Sequence, residues 1–179
     1  MKAMTTKTAA ALFAALFACA AAPALSQTPS DAQIAGIVVT ANQVDIDAGK
    51  LAEKASSDKN VKSFAKQMVT DHSGVNKQAG ELVKKLKITP EDSDTSKSLK
   101  QGGDANLAKL KGLKGLKGKE FDKAYVDNEV TYHQAVIDAL DKVLIPNAKN
   151  SELKDTLVKV RPAFVAHLEH AKHLQSAMK

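Results

Sequence analysis

The stretch "FDKAYVDNEVTYHQAVIDALDKVL", residues 121–144, decides the fold class. Its apolar side chains recur at Phe121, Tyr125, Val126, Tyr132, Val136, Ile137, Leu140, Val143 and Leu144. At about 100° per residue these positions form one broad stripe, the pattern of an amphipathic helix rather than a strand. The helix is expected from about Lys119 to Leu144 and must stop at Pro146, which cannot continue it. Two polar residues, Glu129 and His133, fall near the middle of the stripe. Asp122 falls there too, but in the first turn, where an acid can face free N–H groups.

Three other segments carry the same period. One runs from about Asp31 to Ser56, with Ser30 and Gln33 spaced as a capping box. A second runs from about Asp58 to Lys87 and stops before Pro90. The last runs from Ser151 to the end, with Pro162 inside it, where the ring removes the bond to the Val158 carbonyl and predicts either a kink or a new helix start. Nothing reads as a run of strands, so the chain is expected to be all-α. Residues 88–118, rich in Ser, Asp, Gly and Lys and ending in "KGLKGLKG", read as a solvated linker with only a short helix near Asn106–Leu110. A connection of that length can cross a whole bundle, as one does in ferritin-like four-helix folds.

The 179 residues suit one domain. Trp is absent, Tyr occurs twice and Phe five times, so the core must be built from Ala, Val, Leu and Ile. Residues 1–26 have the order of a secretory signal: Lys2 and Lys7, an apolar run from Ala9 to Ala22, then small residues. That run is too short to span a membrane as a helix. The expected mature domain is residues 27–179, periplasmic or secreted, with lipid attachment at Cys19 as the alternative. Losing Lys2 and Lys7 and no acid takes the formal net charge from +6 to +4 and removes the only cysteine, so no disulfide can form. The basic excess is spread out, with no aromatic-studded basic stripe, which argues against nucleic acid as a partner. Stable membrane insertion of the mature chain is not expected, and no protein partner is indicated.

Helical phase then sorts the polar residues. His72 lies within the stripe of the second helix with Asp71 at its border, and Asp45 lies within that of the first while Asp47 points away. In "HLEHAKHL", residues 167–174, His167 lies on the stripe, His170 is about 100° off its centre, and His173 is nearly opposite. Asp45, His72, His133 and His167 all fall near the middle of their segments, and mid-helix positions meet at one level whichever way helices run. Imidazoles with a carboxylate suit a first-row transition ion such as Zn²⁺ or Cu²⁺, with Ni²⁺ and iron also accepted. Calcium or magnesium would want more oxygens. The candidate metal ligands are therefore Asp45, His72, His133 and His167, with Glu129 and His170 as further candidates. A metal-free hydrogen-bond network among the same groups is the alternative, because a buried carboxylate needs a partner.

The stretches "FAKQMVTDHSGVN", "FDKAYVDNEVTYHQAV" and "RPAFVAHLEHAKHL", around His72, His133 and His167, resemble the DUF4142 family of bacterial exported or outer-membrane proteins of unknown function. The resemblance implies a ferritin-like four-helix bundle and export. It selects the same three histidines, and it places Asp45 where the family has an acid in the first helix. Glu129, His170 and His173 match no motif position. The functional expectation is an exported bundle that binds a transition metal, in metal handling or stress tolerance rather than as an enzyme. The alternative is a metal-free structural or interaction bundle. A di-iron oxidase is disfavoured because it needs a Glu from each of two helices and a Glu-x-x-His from each of the others, whereas Glu129 and His133 stand four apart and no acid stands three before His167.

Overall fold

The structure, a computed structural model, describes residues 28–113 and 118–178. The expected leader, with Cys19, lies outside the described residues, as does the middle of the "KGLKGLKG" stretch. The described chain is helical throughout: α1 (Asp31–Ala55), α2 (Lys59–Leu86), α3 (Asp94–Leu113), α4 (Lys119–Ala139), a π-helical turn (Leu140–Leu144), the short α5 (Ile145–Asn147) and α6 (Ser151–Ala177). Among the described residues there is no strand, and no helix is long and apolar enough to cross a membrane.

Local chemistry sets the boundaries. Ser30 Oγ accepts the Gln33 N–H while the Gln33 side chain accepts the Ser30 N–H, a reciprocal capping box that starts α1. Asp58 caps α2 by accepting the Asn60 and Val61 N–H groups, so three residues suffice to turn α1 back into α2. Lys87 closes α2 in the left-handed region at φ 56°, a conformation that glycine would adopt more cheaply. Asn150 caps α6, and Asp31 reaches across from α1 to accept the Lys149 and Asn150 N–H groups, fastening the start of α1 to the turn before α6. The helix runs without interruption through Pro162, so neither of the two breaks expected there ends it. Consequently His167 is well inside a long helix, as the height argument requires.

The linker reading of residues 88–118 is corrected by α3, which occupies most of it. Its inward face repeats as Ser96, Leu99, Gly103, Asn106 and Leu110, a spacing of three and four built mainly from small or polar residues. A hydrophobicity pattern cannot see such a face. Ser93 and Ser96 start the helix with reciprocal backbone-to-hydroxyl bonds of 2.8 and 3.1 Å, a cap that uses a second serine where Glu or Gln is usual. Gly103 faces Val44 so closely that a Cβ there would come within 2.6 Å of a Val44 methyl. This close approach lets α3 lie on α1, while two glycines of α1 face other neighbours at short range, Gly36 the Glu91 backbone and Gly49 the Ala65 and Val69 turn of α2.

Packing divides the core into two apolar halves. One contains Ala52, Val61, Phe64, Met68, Tyr125, Val126 and Leu174. The other contains Ile34, Ile37, Ile137, Leu144, Leu157 and Phe164. The residues that α1, α2, α4 and α6 contribute between these halves are polar: Asn42, Asp45, His72, Glu129, His133 and His167, all buried.

Candidate metal centre

Each histidine in the polar layer makes one hydrogen bond through one ring nitrogen. His72 Nδ1–H donates to Asn42 Oδ1 at 2.7 Å, and Asn42 is itself held by donating from Nδ2 to Asn76 Oδ1 at 3.0 Å. His133 Nδ1–H donates to the backbone carbonyl of Glu129 at 3.0 Å. His167 Nε2–H donates to Asp71 Oδ2 at 2.9 Å. Because these partners are acceptors, each bond places the proton of a neutral ring on that nitrogen and leaves a lone pair on the other. The three remaining nitrogens, His72 Nε2, His133 Nε2 and His167 Nδ1, are all buried without a hydrogen-bond partner, as are both oxygens of Asp45.

These unpartnered atoms converge. Asp45 Oδ2 is 2.9 Å from His72 Nε2 and 3.4 Å from His133 Nε2. The 2.9 Å contact to His72 is the shorter of the two and puts the carboxylate directly against that ring. The three rings are 5.2 to 5.6 Å apart, and one nitrogen from each lies within 4.8 Å of the others. Ligand bonds of roughly 2.0–2.2 Å to a tetrahedral ion separate donor atoms by about 3.3–3.6 Å, and the Asp45–His133 separation matches this. Three imidazoles each anchored through the far nitrogen, plus one carboxylate, form a donor set suited to a transition ion.

Burial tunes the groups in the same direction. It pushes His133 down to about 4, outweighing the attraction of Asp45, and it lowers His167 although Asp71 opposes the shift. Neutral imidazoles are the form that binds metal. Burial would raise Asp45, but when the neighbouring rings are protonated their charge, His72 first, holds it below its ordinary value. Glu129 is the contrary case: burial and then the adjacent Asp45 charge push it well above the usual carboxylate range, and Tyr125 next to it is raised as well. With Oε2 at 3.4 Å from His133 Nδ1, Glu129 faces the protonated back of that ring and also joins Asp45 and His133 in a second close group.

The structure thus brings together Asp45, His72, His133, His167 and Glu129. His170 is elsewhere, exposed and packed edge-on against Phe64 with ring centroids 5.0 Å apart, and His173 faces solvent. Sequence reasoning overlooked Asn42 and Asn76, and it left Asp71 without a role. Asn42 stands three residues before Asp45 on the same helix, and that spacing was the available signal.

The sequence matches the family described as a domain of unknown function, DUF4142, over residues 15–174. The chain belongs to this family. The match takes in all four helices that carry the polar layer. No curated protein and no solved structure matches the chain.

Proposed function

We propose that this member of the family binds one transition-metal ion, zinc or copper before iron, through His72, His133, His167 and Asp45, and acts outside the cytoplasm in metal handling or stress tolerance. The observation that carries the reading is the set of three buried imidazoles, each donating from one nitrogen to a fixed acceptor and leaving the other without a partner, one nitrogen of each within 4.8 Å of the others and the Asp45 carboxylate beside those of His72 and His133. A metal-free network would be expected to satisfy those atoms among themselves, since an unmet buried polar group costs roughly 1–3 kcal/mol. Binding and release fit the site better than turnover, because four protein donors fill a tetrahedral ion and leave no open position. Glu129 stays outside the ligand set as a neutral acid.

The test is metal analysis of the mature chain prepared without a His-tag, followed by thermal unfolding with added Zn²⁺, Cu²⁺ or Ni²⁺. An ion at a thousandfold excess over its Kd adds about 4 kcal/mol, which for a domain of this size raises Tm by roughly 8–16 °C. His133→Ala should abolish the rise. No stoichiometric metal and an unmoved Tm with all three ions would leave the metal-free structural bundle standing instead.

A further inference from the structure

Away from the polar layer, α3 and α4 enclose an open cleft of about 620 Å³, floored by Val44 and Gly103 and walled by Asn106, Asn128 and Thr131. Behind it lies a second, more enclosed cavity of about 100 Å³, bounded by Ile37, Val38, Leu140, Leu157 and Val160, whose walls expose no polar atom. Thr95, Leu99, Tyr132 and Ala135 line both spaces, so the two adjoin along these four residues. Tyr132 is pinned at this junction by its hydroxyl, which donates to the Ala41 carbonyl at 2.7 Å. Phe164 lines the cavity and packs its ring edge-on against His72, with centroids 5.1 Å apart, on the side of the histidines.

We infer that the cleft and cavity together form a binding site for a small neutral amphiphile, its hydroxyl or amide head among Asn106, Asn128 and Thr131 and its alkyl chain in the cavity behind Tyr132. Water gains nothing in a chamber without polar partners, so an alkyl chain is the occupant that its walls favour. The head is neutral because the cleft wall itself carries one charged side chain, Asp94, and on the adjoining pocket that shares Asn106, Asn128 and Thr131 the cations Lys109 and Lys123 are matched by Glu120 and Asp127, leaving no net positive charge to hold a carboxylate or phosphate. Long apolar walls behind a short polar mouth are the usual make-up of small-molecule sites. This site shares no ligand with the metal centre and goes beyond it.

The experiment titrates the full mature chain, stripped of metal with a chelator, with 1-alkanols from butanol to octanol, following side-chain methyl signals by NMR. Each added CH₂ should tighten Kd about fourfold while the cavity fills, with shifts centred on Leu99, Leu140 and Leu157. Hexanoate should bind more weakly than 1-hexanol. Ala135→Phe and Thr95→Phe narrow the mouth from α4 and α3 respectively, and both positions are exposed, so the core is undisturbed. Each should weaken octanol at least tenfold. An affinity independent of chain length, a chain-length increment that persists unchanged in both variants, or shifts centred on exposed Val143 and Val158 would overturn the inference.

Discussion

Glu129→Gln should stabilise the metal-free protein at neutral pH. The Glu129 side chain is buried, Oε2 has no hydrogen-bond partner, and Asp45 is the charge nearest to it in effect. Its pKa in the folded chain is therefore raised by burial first and by Asp45 second. A carboxyl with a raised folded pKa contributes fully below its unfolded value of 4.5, and that contribution is lost as pH rises toward the folded value, because the unfolded chain ionises first. At pH 7 the wild type bears that cost and a glutamine does not. The gain is set by how far the folded pKa lies above the unfolded one, at about 1.4 kcal/mol per unit up to pH 7, so it is on the order of 1–3 kcal/mol. For a domain of this size it corresponds to about 2–12 °C in Tm. The assay is urea and thermal unfolding of both proteins with a chelator present, at pH 7 and again at pH 4, where the carboxyl is protonated in both states and the difference should vanish. A loss of stability at pH 7, or an equal gain at both pH values, would refute the reasoning. Zinc binding by the variant should stay within a few-fold of wild type, because Glu129 is not among the four ligands.

In the Glu129→Gln background, metal-free stability should fall as pH drops from about 6.5 to about 4, because the unfolded chain protonates its histidine before buried His133 does; urea midpoints at three pH values would check this, and a flat profile would contradict it. Asn42→Ala removes the acceptor that orients His72 and should weaken metal binding by about 10–100-fold in a chelator competition, while the helical circular dichroism is unchanged. Gly103→Ala drives a Cβ against Val44 and should cost roughly 1–3 kcal/mol by denaturant unfolding. Gly74→Ala, in a helix with open space beside it, should instead gain about 0.5–1 kcal/mol. Should both glycine variants shift alike, the close packing of α3 on α1 would not be what distinguishes them.

The four helices that carry the polar layer, and the level of that layer, were legible because their signals are periodic and chemically loud. A histidine or aspartate in an otherwise apolar stripe stands out, and Asp45, His72, His133 and His167 all stood out in that way. What was missed obeys the opposite rule. The buried side of α3 is serine, glycine and asparagine with two leucines, so its period is present but carries little hydrophobic contrast, and its flanking lysines and glycines imitate a linker. Asn42, Asn76 and Asp71 were missed as anchors for another reason. Their roles depend on which ring nitrogen each histidine presents, and that follows from the distance between helices rather than from phase along one helix. His170 drew attention through its neighbours in sequence, but one residue type repeated every three positions rotates around a helix instead of lining one face.

The small-residue contact between α3 and α1 has a consequence for how the molecule opens. Of the α3 residues against the bundle, Leu110 is the only large side chain fully buried, so the helix docks with little apolar area for its length. Its amides should exchange with solvent deuterium well before those of α1 and α2, through a partial unfolding that leaves the remainder intact. None of the four proposed metal ligands is on α3, so this opening would uncover the outer wall of the cleft and the flank of α1 without moving a histidine out of register. Uptake of a molecule at the cleft and retention of an ion in the core would then draw on separate parts of the energy landscape, one loose and one held by the whole bundle.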